Sequence, residues 1–221
     1  MSIFDKIIST VAPHECLGCQ RQGSLLCSSC SAKLHVVPER CYRCRRLNSG
    51  AETCASCRRN SHLQAVHVTT DYQDLAKDLV WKLKFEGAQA AAQQIAAKMK
   101  YLFNFSDDMI IVPVPTATSR VRSRGYDQAE LLARALIREF HMPKINCLTR
   151  LGQTHQIGSD RTQRLQQVNQ AFIVKKPQLV SGARILLVDD VITTGATLES
   201  AARVLKQSGA KCIEALVFAQ P

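Results

Sequence analysis

The sequence predicts an α/β protein, a mostly parallel sheet flanked by helices, with a small cysteine-rich double zinc unit at the N terminus. Three observations carry this reading. Short apolar runs at 109–113, 185–188 and 212–218 alternate with stretches of helical periodicity. The first two runs are apolar throughout rather than at every second residue, which marks strands covered on both faces. Eight of the ten cysteines fall in four Cys-x₂-Cys pairs between residues 16 and 57. The division expected is residues 1–62 for the terminal helix and zinc unit, and 63–221 for the α/β domain.

With 221 residues and 46% hydrophobic content, the chain has material for one full domain plus a small appendage. The formal net charge of +11 points to an anionic partner: nucleic acid, a membrane surface or a polyphosphate. Eight thiolates on two zinc ions would lower that charge without reversing its sign. No apolar run is long enough to span a bilayer. Ile3, Phe4, Ile7, Ile8 and Val11 lie on one helical face within residues 1–12. The segment lacks the unbroken apolar stretch and cleavage site of a secretory signal, so it reads as a short helix packed on the body. Paired cysteines in a chain of this length favour metal over disulfides. The expected compartment is therefore a reducing cytoplasm, near the inner membrane if that apolar face meets lipid.

The first unit holds Cys16, Cys19, Cys27, Cys30, Cys41, Cys44, Cys54 and Cys57. Each pair forms a knuckle that aims two sulfurs at one ion, and two pairs complete a closed tetrahedral Cys₄ zinc site. A segment this short has no core of its own, so metal supplies its folding energy. Pairing in chain order is simplest; the spacing also permits a nested or interleaved arrangement. His14, His35 and His62 are spare candidate ligands. Arg43, Arg45, Arg46, Arg58 and Arg59 could contact a phosphate backbone, and Tyr42 could stack on a base.

Residues 66–70 read as a strand, and Leu75, Leu79, Val80, Leu83 and Phe85 have helical spacing. Lys82 and Lys84 lie on that helix, either solvated or facing an anionic site. An alanine- and glutamine-rich helix follows over 88–103. Residues 109–113 form the next strand, with Pro113 and Pro115 stiffening its exit. Arg120, Arg122 and Arg124 come next without an acid before Asp127. In an extended loop, three arginines at alternate positions share one side, where their guanidinium groups suit pyrophosphate or nucleic-acid phosphates. A helix over 127–140 buries Leu131, Leu132, Ala135 and Leu136. Residues 145–150 read as a strand with Cys147 buried, and 151–164 as a polar segment without periodicity.

The last third carries the chemistry. Residues 185–188 are a buried strand, and Asp189 and Asp190 stand at its carboxyl end, where open α/β sheets bind their ligands. Val191, Ile192, Thr193, Thr194, Gly195, Ala196 and Thr197 turn into a helix that runs to about Gln207. Gly195 lets backbone approach a ligand closely. The N–H groups of residues 193–197 and the threonine hydroxyls favour a phosphate at the helix N terminus. The two carboxylates suit sugar hydroxyls or a hard cation such as Mg²⁺. Such a stretch fits a pentose 5-phosphate, and it lacks the Gly-Lys-Ser/Thr of a Walker A loop. Gly209 ends the helix, and residues 212–218 are the final strand.

Val188-Asp-Asp-Val-Ile-Thr-Thr-Gly-Ala-Thr197 resembles the phosphoribosyl pyrophosphate (PRPP) motif of type I phosphoribosyltransferases. The resemblance implies a type I phosphoribosyltransferase-like fold. It places Asp189 and Asp190 on the ribose hydroxyls and residues 191–197 around the 5-phosphate, with Mg²⁺ accompanying PRPP. Some members carry an acid two residues before the loop glycine; this chain has Thr193 there. Val112-Pro-Val-Pro115, Arg120, Arg124-Gly-Tyr-Asp-Gln128, Leu131-Leu-Ala133, Arg150, Thr154, Gln156, Arg164, Asn169 and Phe172 extend the likeness to the ComF family. That family joins a zinc unit to a phosphoribosyltransferase domain. Membership implies a role in natural transformation, with single-stranded DNA as partner and DNA-uptake helicase or recombination proteins as candidate neighbours. If the site is catalytic, Asp189 and Asp190 hold the sugar and Arg120 or Arg124 stabilises departing pyrophosphate. A mobile loop over 151–164, with His155, Arg161 and Arg164, is expected to close over the substrate.

Overall fold

The computed structural model describes residues 14–151 and 171–221. The predicted helix over 1–12 and almost all of the predicted closing loop lie outside the described residues. Four strands form one parallel sheet: β1 (Val66–Asp71), β2 (Met109–Pro113), β5 (Arg184–Val191) and β6 (Cys212–Gln220), in the order β1-β6-β5-β2. The helices are α3 (Asp74–Phe85), α4 (Ala88–Leu102), α6 (Gln128–Phe140) and α7 (Ala196–Gln207), with short helices α1 (Ser28–Ser31), α2 (Ala55–Arg58) and α5 (Thr118–Arg124).

The central strands are apolar on both faces because both faces are covered. Leu186 and Val188 of β5 join Leu216 and Phe218 of β6 in a cluster with Leu79 and Leu83 of α3, Ile95 and Met99 of α4, and Leu132 and Leu136 of α6. Ile185, Leu187, Ala215 and Val217 belong to a second cluster with Leu198, Ala201 and Leu205 of α7. This is the period-2 alternation of a strand. The cysteine unit has no separate core. Cys16, Leu25, Leu26, Cys30 and Leu34 join the first cluster, whereas Val37, Tyr42 and Leu63 join the second.

Two expectations are corrected by the structure. The segment 118–124 is the helix α5, not an extended loop. It contains no glycine or proline, and Gly125, at φ 81°, closes it with its N–H on the Val121 carbonyl. Arg120 and Arg124, four residues apart, therefore share a face, and Arg122 lies on the opposite side. The expected strand over 145–150 is split. Ile145 donates its N–H to the Ile111 carbonyl beside β2, whereas β3 (Leu148–Arg150) pairs antiparallel with β4 (Phe172–Val174) in a separate ribbon.

Candidate functional site

Strand β5 runs further than its apolar core predicts. Asp189 pairs with Val217 and Val191 with Ala219, so both acids lie within the last rungs of the ladder. Consecutive strand residues face opposite sides of a sheet. Asp190 shares the side of Leu186 and Val188, and there Lys84 of α3 meets it at 2.8 Å. Asp190 is 5% exposed, and this ammonium is its counter-charge. Lys84 thus faces the site and is not a solvated lysine. Asp189 is half-buried. Burial, and then the Asp190 charge, push its carboxyl well above the usual range, against the pull of the Asp190 N–H and Lys84. An acid held in this way at the end of a strand is poised for a cation or for hydroxyl donors.

Beyond β5, Ile192 is buried, with its N–H on the Ala219 carbonyl, which anchors the loop to β6. Thr193, Thr194 and Ala196 are exposed and Thr197 is half-exposed. Gly195 caps α7 at φ 79° and accepts the Glu199 N–H at 2.9 Å. The N–H groups of Thr193, Thr194, Gly195 and Thr197 have no acceptor among the described residues. The loop therefore presents open amide donors and hydroxyls at a helix N terminus, the arrangement that suits a phosphate.

The loop after β2 lies beside this strand end, because Pro113 pairs with Val188 and the Val114 N–H donates to its carbonyl. Asp127 closes that loop: its carboxylate accepts from the N–H and hydroxyl of Thr116 and from the Ala129 and Glu130 N–H groups. The cap fixes where α5 stands. Arg120 is exposed; Arg124 donates to Gln128 Oε1 at 2.8 Å and lies 5.0 Å above the Phe85 ring.

The eight paired cysteines gather into two tetrads in chain order: Cys16, Cys19, Cys27 and Cys30, then Cys41, Cys44, Cys54 and Cys57. Within each tetrad the sulfurs lie within 4.8 Å of one another. The two tetrads repeat one design. Gln20 and Arg45 each take a left-handed φ just after a knuckle, and each donates its N–H to the first cysteine's carbonyl at 2.8 Å. Despite burial, N–H groups of Cys27, Gly18 and Cys19 bring the Cys16 thiol down to about 6, whereas Cys30, sharing protons with Cys27, is pushed up to about 12. Cys54, helped first by the Ser56 hydroxyl, falls to about 6, and Cys57 beside it rises to about 12. Four thiols with one easily lost proton and one strongly held compete for negative charge. A divalent ion at the centre removes that competition, so both tetrads fit zinc. His35 instead pairs with Asp71 and His62 with Glu199.

The residues offered for nucleic acid separate. Tyr42 is 5% exposed and is not a free stacking surface. Its ring lies against Gly195 and its hydroxyl is bonded to Glu199 and Ser61. Sequence distance hides this contact. Arg43 and Arg58 donate to the carbonyls of Asn60 and Gln64, while Arg45, Arg46, Arg59 and Arg122 are exposed. Phe85, grouped with the leucines of α3 by helical spacing, is exposed instead and forms an open aromatic pair with Trp81: the two are 56% and 46% exposed, with ring centroids 5.7 Å apart. Their i, i+4 spacing away from the helix's leucine face is the signal that could have found them.

A phosphoribosyl transferase domain model matches residues 87–221, more than half of the chain. Competence protein ComFC of Bacillus subtilis is 31% identical over 195 residues, covering 83% of this chain and 79% of that protein. Competence protein F of Haemophilus influenzae is 30% identical over 203 residues, covering 86% of this chain and 87% of that protein. The DNA utilization protein YhgH of Escherichia coli is 27% identical over 201 residues, with coverage of 86% and 87%. Among the described residues no helix is long and apolar enough to cross a membrane.

Proposed function

This chain belongs to the ComF family of competence proteins and carries a phosphoribosyltransferase domain, and from that premise we propose that it binds PRPP with Mg²⁺ at residues 189–197 and handles single-stranded DNA during natural transformation. The observation that carries the ligand reading is the set of N–H groups at Thr193, Thr194, Gly195 and Thr197 that have no acceptor among the described residues, beside the half-buried Asp189. The amides and threonine hydroxyls take the 5-phosphate, and Asp189 takes ribose hydroxyls. Asp190, paired with Lys84, adds little net negative charge to the site. Arg120 and Arg124, on one face of α5, suit the pyrophosphate oxygens. Mg²⁺, when bound with PRPP, neutralises pyrophosphate charge. Calorimetric titration of PRPP with Mg²⁺ tests this: wild type binds and Asp189→Ala weakens binding at least about tenfold, a loss of ~1.4 kcal/mol. Equal heats for the two proteins would refute the assignment.

The alternative is transfer of the ribosyl group to a nitrogen nucleophile without a DNA role. Thr193, where some phosphoribosyltransferases have an acid, offers no base. Pyrophosphate release across a panel of nucleobases and amines separates binding from turnover.

The DNA reading draws on Trp81 and Phe85 with the cations around them. Lys82 Nζ lies 5.5 Å over Trp81 and Arg124 stands over Phe85. Among the described residues no carboxylate pairs with Arg120, Arg122 or Arg124. Lys82 is itself ion-paired with Glu86 at 2.8 Å, so the aromatic faces stand beside the arginines of α5, an arrangement that suits stacked bases and their phosphates. Trp81 is the chain's single tryptophan, so its emission reports on this surface directly. Oligothymidylate is expected to quench it, with affinity falling steeply as salt rises. Binding without any change in Trp81 emission would move the strand elsewhere.

A further inference from the structure

The second cysteine tetrad does more than fold its own segment. Tyr42 follows the ligand-type residue Cys41 directly, and its ring is packed so closely on the phosphate loop that a Cβ added to Gly195 would lie 2.8 Å from Tyr42 Cε2. The Tyr42 hydroxyl donates to Glu199 Oε1 and lies 3.0 Å from Ser61 Oγ. Ser61 Oγ also donates to Glu199, and the His62 N–H donates to its other oxygen at 3.1 Å. Arg43 stands 3.6 Å from the same carboxylate. Glu199 is in the first turn of α7, and its own N–H is bonded to the Gly195 carbonyl. Although burial opposes it, these donors hold the Glu199 carboxyl below its usual range, and burial pushes the Tyr42 phenol up. All the donors come from residues 42–43, inside the Cys41/Cys44 knuckle, and 61–62, which follow the Cys54/Cys57 knuckle. The first tetrad touches different elements: Gly18 lies against Leu75 of α3, and Ser31 accepts from Lys98 of α4.

We infer that the second tetrad, through Tyr42 and Glu199, positions the phosphate loop, so that metal loss at Cys41, Cys44, Cys54 and Cys57 loosens residues 192–197 while loss at the first tetrad does not. Tyr42 and Glu199 are positioning residues; the loop amides touch the ligand. The consequence for ligand affinity rests on the reading that this loop binds PRPP. The physical basis is preorganisation. Four N–H groups that converge on one phosphate are effective only while their backbone is held, and the ring behind Gly195 is the hold.

The test uses the full chain with three readouts: zinc per chain, amide exchange of a peptide spanning residues 189–200, and PRPP titration with Mg²⁺. Cys54→Ser/Cys57→Ser is expected to keep one zinc, exchange the loop faster and bind PRPP about tenfold more weakly. Cys19→Ser/Cys27→Ser is expected to keep one zinc with the loop unchanged. In case a tetrad variant fails to fold, Tyr42→Ala retains both metals and is expected to show the same loop exchange and affinity loss. Tyr42→Phe, which keeps the ring on Gly195, recovers most of both. Equal loop exchange in the two tetrad variants, or a Tyr42→Ala protein within about twofold of wild type in exchange, overturns the inference. A wild type that ignores PRPP would sink the ligand reading alone, because the exchange comparison needs no ligand.

Discussion

Replacing Lys84 by methionine removes the only cation at Asp190 among the described residues and keeps the length of the stem. The carboxylate is 5% exposed and the ammonium sits 2.8 Å from it, with the lysine side chain 21% exposed. Breaking a buried pair by deleting one partner costs about 3–5 kcal/mol, because the remaining charge stays desolvated. Partial solvent access to Lys84 places the loss near the low end, about 3 kcal/mol, or roughly 6–12 °C in Tm for a chain of this size. Lys84→Met/Asp190→Asn removes both charges and is expected to recover about 2 kcal/mol of that loss, which a double-mutant cycle in urea isolates. A Lys84→Met protein losing under about 1 kcal/mol, with additive effects in the cycle, would mean that the pair is solvated and that Asp190 has no fixed counter-charge.

Two further outcomes follow from the geometry. Gly18→Ala puts a Cβ 2.7 Å from Cys30 Sγ and 3.3 Å from Leu75 Cδ1, so the first tetrad is expected to lose its ion while the second keeps its own, which metal analysis counts. Asp189 has a folded-state carboxyl held above its unfolded value by burial and by Asp190, so its contribution to stability is present at low pH and is lost as pH rises through the raised value. Asp189→Asn is therefore expected to stabilise the ligand-free protein at neutral pH and to match wild type in acid; thermal unfolding at both pH values checks it. Such a stability cost is what the proposed ligand role of Asp189 predicts.

Much of the fold is local enough to be read from the chain. The apolar run Ile185–Val188, the acids after it and the glycine before α7 are neighbours in sequence, and they are neighbours in space. The Cys-x₂-Cys knuckles are equally local, and the chain-order pairing, which spacing left open, is settled by the sulfur positions. Long-range contact was not legible. Tyr42 reads as a stacking residue among arginines until the fold brings it to Gly195, 153 positions later. Lys84 reads as one of two lysines, solvated or facing an anionic site, until the fold brings it to Asp190. In 118–124 both conformations satisfy the same residues, and the Asp127 clasp on Thr116, not arginine spacing, accompanies the helical one. The acids look like a matched pair in sequence, yet strand alternation gives Asp190 to Lys84 and leaves Asp189 to the site.

The most direct measurement is the amide chemical-shift response of residues 193–197 to ribose 5-phosphate and to PRPP with Mg²⁺ in isotopically labelled protein. The account requires the N–H signals of Thr193, Thr194, Gly195 and Thr197 to move downfield together and saturate with either ligand, because both carry the phosphate that those groups would hold. Shifts confined to the arginines of α5, or none in the loop at saturating PRPP, would contradict it.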